Sequence, residues 1–247
     1  MRSRPLLFYG GAIVPMTGPD KRVQALVVRD RQIVFTGSLS QARALAGPGV
    51  QTVDLGNKAL LPAFIDAHSH LTMTAQYRKA ADLSACTDIS QITAALNGFL
   101  RDHPTGPEGA VLGVNYDHNF LKEGLHPDRE ALDAVSREIP IFLFHSSSHM
   151  GVANSALLRA IGFSESTPDP QGGRLGRRAD GSLSGYLEES PAFLPALAEV
   201  FQRLHLDLPA LIEEAQDVYL RSGITTVQEG ACSPENAKLL ASLGQAG

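Results

Sequence analysis

LPAFIDAHSH, residues 61–70, is the stretch on which the reading of the fold turns. It is a short apolar run that ends in two histidines one residue apart. Side chains of an extended strand alternate between its faces, so Phe64, Asp66, His68 and His70 share one side, and Ala63, Ile65, Ala67 and Ser69 the other. The two imidazoles would project together, close enough to share one divalent ion. A bare His-x-His is frequent by chance and is commonly a pair of loop histidines. Its place changes the reading, because the end of a buried apolar strand is where parallel α/β barrels put their chemistry.

The sequence on either side has two styles. Residues 5–55 read as short strands broken by turns: LLFYGGAIVP, VQALVVRDRQIVFTG and VQTVDL, with RDRQ as a hairpin turn between β-branched runs. A turn or two of helix fits SLSQARALAG, and the whole reads as a small β-rich module over residues 1–57. After Asn57 apolar runs alternate with helical stretches. ALLPAFIDA, GAVLGVNYD, IPIFLFHSSS, SGYLEE and GITTVQEG read as strands. Helices are expected over DISQITAALNGFLRD, DREALDAVSRE, NSALLRAIG, PAFLPALAEVFQRL, LDLPALIEEAQDVYLRSG and SPENAKLLASLG, with Asp207 as an N-cap and Gly223 as a stop. STPDPQGGRLGRRADGSLSG, rich in Gly, Pro and Asp, reads as a long loop.

Strands alternating with helices predict an α/β fold with a parallel sheet, and the nearly all-apolar AVLGV and PIFLF fit strands covered on both faces. An eight-unit barrel and an open doubly wound sheet are both compatible. From residue 59 onward about five strands can be counted, where a closed barrel needs eight. The expectation is therefore an open sheet or a chain that forms part of something longer.

Composition narrows the function classes. The chain has 247 residues, 43% hydrophobic and 19% charged, with a formal charge of −5. This gives no basic footprint for nucleic acid, and no apolar run is long enough to predict a membrane span. The opening MRSRPLLFYGGAIVPMTG has its apolar patch broken by glycines and a proline, and reads as mature sequence. Cys86 and Cys232 lie far apart with no Cys-x-x-Cys spacing, which predicts free thiols and a reducing cytoplasm. There is no Gly-x-Gly-x-x-Gly after a strand, no Walker A loop and no His-Glu-x-x-His, and GSLSG places Leu183 where a nucleophile elbow needs serine.

LPAFIDAHSH resembles the LPGFIDxHxH motif of the amidohydrolase superfamily, departing from it at Ala63. LDAVSREIPIFLFHSSSHMGVANSALLRAIG, TPDPQGGRLGRRADGSLSGYLEES and GITTVQEGA resemble the family-3 amidohydrolases, a subgroup that includes N-substituted formamide deformylases. The resemblance runs from about residue 5 to the end. It implies a partial metal-dependent (β/α)₈ TIM barrel over residues 58–247, preceded by part of a β-sandwich that later strands complete.

The resemblance also implies hydrolysis of C–N bonds in amide, formamide or cyclic amide substrates, with one or two divalent ions, zinc being the expected one. His68 and His70 become metal ligands. Glu189, which matches a glutamate after the subgroup's Gly-x-Leu element, becomes the third, with Glu188 and Glu229 as alternatives. His149 matches the histidine of an H-x-x-x-N-S element and implies substrate contact. His145 is a less specific candidate for the same part, with a satisfied loop histidine as its plainer reading.

Asn154 and Ser155 read as helix caps, and His103, His118, His126 and His205 as structural or exposed. The family's acid/base aspartate lies on a later strand and has no counterpart here, so no catalytic residue is assigned. The rival expectation is a non-catalytic remnant that binds metal weakly or needs a partner chain. The partner expected is a small molecule rather than nucleic acid or membrane, and the reading leaves room for a homo-oligomer.

Overall fold

The structure is a computed structural model that describes residues 4–246. It divides into two compact units. One takes in the residues up to Ala67 together with Leu220–Val227, and the other His68–Tyr219 with the residues from Gln228 onward.

The first unit is built on strands β1 (Leu6–Ile13), β2 (Val23–Arg29), β3 (Gln32–Gly37) and β4 (Gln51–Asp54), with helix α1 (Leu39–Ala46) between the last two and the two-residue β5 (Ala59–Leu60) after them. The sheet order is β3-β2-β1-β4, and β5 also pairs with β1. Asp30 and Arg31 turn the β2–β3 hairpin with φ values of 52° and 65°. Positive φ at both central positions is the turn whose twist matches that of the strands. Leu7, Ala25 and Val27 pack against Ala42 and Ala46 of α1. Phe8, Leu26, Val28, Ile33 and Leu60 line an apolar cavity of about 470 Å³ in the same unit.

β6 (Phe64–Ser69) carries the first histidine of the pair, and helix α2 (Leu71–Tyr77) follows it directly. A six-stranded sheet then forms from β7 (Ala81–Asp82), β8 (Val111–Tyr116), β9 (Ile141–His145), β10 (Met150–Ala153), β11 (Arg174–Arg177) and β12 (Leu183–Glu188), in the order β11-β12-β10-β9-β8-β7. Its helices are α3 (Ile89–Asp102), α4 (Arg129–Asp133), α5 (Ser155–Ala160) and α6 (Ser190–Leu204), with one 3₁₀ turn at His118–Phe120. Helix α7 (Leu208–Arg221), strand β13 (Ile224–Glu229) and helix α8 (Pro234–Ala246) end the described chain. Asp207 caps α7 by accepting from Ala210 N–H at 3.3 Å.

The near-continuous apolar runs of β8 and β9 have a direct cause. Leu112, Val114, Phe142 and Phe144 face one cluster with Leu157, Phe193 and Val200 of α5 and α6. Val111, Ile141 and Leu143 face another with Ile92 and Leu96 of α3 and Leu132 of α4. A strand between two helical layers has no wet face and loses the two-residue alternation.

The all-parallel expectation is corrected. β7, β8 and β9 run parallel, but β10 returns antiparallel on β9, and β12 and β11 continue antiparallel. The chain reverses in the few residues after His145, with Ser148 at φ 61°, and a reversal that short can only make a hairpin. The stretch 166–185 is not an uninterrupted loop, since it carries β11 and the start of β12. Of the strands passed over in the sequence, β7 has two residues and β10 and β11 four, too few to show a period.

The strand of the histidine pair is not buried as expected. Among the described residues β6 pairs with β13 alone, as a separate two-stranded sheet. Phe64 N–H donates to Gly223 O at 2.8 Å and Gly230 N–H to Ser69 O at 2.6 Å, so both numbers rise together and the strands are parallel. With one neighbour, β6 leaves Phe64 59% and Ile65 71% exposed. Among the described residues no helix is long and apolar enough to cross a membrane.

Candidate metal centre and its surroundings

His68 and His70 sit at the C-terminal end of β6, with ring centroids 5.3 Å apart and ring planes at 86°. The rings are therefore neighbours on one side of the chain, as strand alternation predicts. Nδ1 of His70 lies 3.0 Å from the carbonyl oxygen of Gly230. A carbonyl only accepts, so Nδ1 holds the ring proton and Nε2 keeps its lone pair, the arrangement a metal-ligating imidazole requires. Gly230 is needed at that spot. A Cβ built there would stand 2.8 Å from Cε1 of His70 and 3.0 Å from Ser69 O, so a side chain would push the ring aside.

Glu229, the last residue of β13, closes the other side of this corner. Its carboxylate accepts from the N–H groups of Leu71 and Thr72 and from Thr72 Oγ1. These are the orphan donors at the start of α2, whose N-cap position is His70 with no side-chain cap of its own. Of the readings open to Glu229, the helix-start one fits this geometry. Ser69 Oγ and Thr74 Oγ1 both reach Tyr219 Oη, at 2.7 and 3.2 Å.

Glu189 and His149, assigned separate parts in the sequence, meet. His149 Nδ1 lies 3.2 Å from Glu189 Oε2, and both side chains are about half exposed or more. Glu189 N–H also donates to His149 O at 2.8 Å. Glu189 holds φ 64° and ψ 159° at the entry to α6, a region that is essentially glycine's. Glu188 is engaged elsewhere, accepting from Arg174 Nε at 2.6 Å. His68, His70 and Glu189 are not gathered into one group of converging donor atoms among the described residues.

The group that is gathered in this way is His118, His126 and His145, with ligand atoms all within 4.8 Å of one another. Residues 116 and 145 pair across β8 and β9, which sets the ends of the two strands side by side. His145 is buried, and its Nε2 lies 3.1 Å from Nδ1 of His118. Its Nδ1 lies within reach of Ser147, both Oγ at 2.9 Å and the N–H at 3.0 Å. His126 Nδ1 meets Tyr116 Oη at 3.1 Å, and its ring stacks on that of His118 at 4.0 Å.

Burial, with the neighbouring imidazoles adding to it, pushes His126 down to about 4, and burial lowers His145 as well. Burial raises the Tyr116 hydroxyl well above the usual phenol range, so it stays protonated. The sequence reading took His145 as a candidate for substrate contact and His118 and His126 as structural or exposed, because the three have no motif spacing that joins them. Part of the signal was there in another form: NYDH places His118 just past β8, and FLFH places His145 at the end of β9.

Asn154 is the cap expected, whereas Ser155 is the first residue of α5. Asn154 Oδ1 accepts from Leu157 N–H at 2.9 Å and from Ile141 N–H at 3.0 Å, and its Nδ2 donates to Ser136 O and Ile139 O. Ser155 binds Asp133 through both its N–H and its hydroxyl.

Comparison with known proteins places these features in a family. The chain is 29% identical over 241 residues to the N-substituted formamide deformylase of Arthrobacter pascens, covering 96% of this chain and 44% of that protein. It is 33% identical over 170 residues to the exoenzymes regulatory protein AepA of Pectobacterium carotovorum, covering 67% and 36%. The chain thus spans less than half the length of either relative. A solved structure described as an uncharacterized metal-dependent hydrolase from Pyrococcus furiosus superposes on 98% of this chain and 47% of its own, with a TM-score of 0.67 at 22% identity, and so shares the fold. Residues 51–247 match the family model described as the amidohydrolase family. With the model spanning both the histidine pair of β6 and the three-histidine group, the chain belongs to the amidohydrolase family.

Proposed function

We propose that this chain is the metal-holding part of a hydrolase that cleaves C–N bonds other than peptide bonds, in small amide, formamide or cyclic amide substrates. The observation that carries the reading is the His70–Gly230 hydrogen bond, which leaves Nε2 of His70 unprotonated beside the ring of His68. Two imidazoles on one strand end suit a borderline divalent cation such as zinc. Such a cation supplies Lewis acidity toward a carbonyl and a water acidic enough to ionise near neutral pH.

The chain's own residues would hold and orient. Gly230 fixes the tautomer of His70, and Glu229 anchors the helix that starts beside it. Glu189 is proposed as the carboxylate ligand, and its contact with His149 places a proton-sharing imidazole next to it, with His149 facing substrate. The fold is read as part of a (β/α)₈ barrel, and residues 1–57 as part of a β-sandwich whose open apolar face further strands would cover. The amide-type substrate rests on the formamide deformylase relative and on family membership.

The test compares metal content after purification and dialysis. The wild-type chain is expected to retain divalent metal and a His68→Ala/His70→Ala chain to lose the part bound at the pair. Equal content would defeat the reading. Hydrolysis of a panel of N-substituted formamides and cyclic amides, assayed on a form that spans the length of the relatives, tests the substrate class.

A further inference from the structure

We propose that His118, His126 and His145 form a second cation site, taking a zinc-class divalent ion on three imidazoles with the Asp117 carboxylate beside them. It is carried by β8, β9 and the segment after β8, and it uses none of the ligands assigned above.

The geometry is close to that of a ligand set. In a tetrahedral site with metal–nitrogen bonds of about 2.0–2.1 Å, two ligand nitrogens stand about 3.3 Å apart. His118 Nδ1 and His145 Nε2 are 3.1 Å apart. Two ring nitrogens at that distance face each other over a single shared proton, a position an ion can take instead. Oδ1 of Asp117 lies 3.5 Å from His145 Nε2 and 3.8 Å from His118 Nδ1, near enough to balance charge or to close the fourth position. Apart from Gly113, Asn115, Tyr116 and His145 itself, the residues of β8 and β9 are aliphatic or phenylalanine, so the three imidazoles and the carboxylate are concentrated at the strand ends.

Outer partners are already in place. With Nε2 of His145 on the ion, its proton moves to Nδ1, where Ser147 Oγ at 2.9 Å accepts it and the Ser147 N–H, which lies 3.0 Å from that nitrogen and donates to it, has to turn aside. Tyr116 Oη at 3.1 Å holds Nδ1 of His126. Backing of this kind orients ligating imidazoles and fixes their tautomers. The ring that has to turn is His118, which tilts off the face of His126. It is free to do so on a single 3₁₀ turn, with its side chain 27% exposed.

The experiment uses the whole chain, stripped of metal and titrated with Co²⁺, following heat and the visible absorption of four-coordinate cobalt. His118→Gln/His126→Gln leaves the buried His145 in place, and its thermal unfolding is checked against the wild type. The expected result is loss of one equivalent of Co²⁺, or a Kd raised at least about 100-fold at that site, a loss at least as large as outer-partner changes bring. His68→Ala/His70→Ala should remove a different equivalent and keep this one, so the two sites fail independently.

The proposal is overturned if the Gln pair binds Co²⁺ with wild-type stoichiometry and affinity, or if no site tighter than about 1 mM, the level of weak association, survives in the His68/His70 variant. A second readout needs no variant. On adding Zn²⁺, the imidazole nitrogen resonances of His145 should move to the form protonated at Nδ1, and unchanged resonances at saturating Zn²⁺ would also overturn it.

Discussion

Asn154 shows how much one side chain can carry. It is fully buried, and its amide joins the start of α5 to β9 and to the turn at Ser136–Ile139 through four hydrogen bonds. Asn154→Ala leaves buried backbone groups without partners, at about 1–3 kcal/mol each where no water replaces them. A loss of about 3–5 kcal/mol in urea denaturation is expected, far above the usual cost of a lost cap. Glu189 is the opposite case. Its backbone conformation costs roughly 1–3 kcal/mol for any residue with a Cβ, more than an exposed pair with His149 returns. Glu189→Gly is therefore expected to raise the denaturation midpoint slightly while lowering metal retention, and a midpoint that falls would contradict the strain. The Asn154 cap was legible in the sequence because a cap is a local event. The trio of His118, His126 and His145 was not, because it depends on two strands lying side by side.

At the scale of elements, α3 is the helix whose start responds to acid. Asp88 accepts from Gln91 N–H at 2.8 Å and from Lys122 Nζ at 2.7 Å. The Lys122 hydrogen bond, followed by those from Ser90 and Gln91, holds its carboxyl well below the usual carboxylate range. The contribution of this cap is fully present above the unfolded carboxylate value of about 4, and is lost as pH falls through the lower folded value. Amide exchange in the first turn of α3 should therefore accelerate relative to the helix centre only below about pH 4. In Asp88→Asn, which keeps an accepting oxygen but no charge, that acid-dependent step should vanish. The long helices α3, α6 and α7 were legible as helical stretches, α7 with its cap at Asp207 as well. The hairpin of β9 and β10 was not, because SSSH has none of the glycine or proline that usually marks a turn.

For the whole molecule, family membership and the α/β class were readable from motifs and from the alternation of strands with helices. The mixed sheet and the lone pairing of β6 with β13 were not, since strand neighbours across a chain leave little trace in the local pattern. That pairing has a consequence for the order of assembly. His70 and Gly230 are 160 positions apart, so joining their strands closes a loop that costs roughly 4–5 kcal/mol in chain entropy. The β2–β3 hairpin and the β9–β10 reversal close over only a few residues and can form early. The β6 and β13 amides should thus be the last strands to gain protection in pulse-labelled refolding, and the first to exchange in the native state. On this ordering the cation-binding corner matures after the scaffold around it, and a ligand seated there would act late, as a latch on a chain already folded elsewhere.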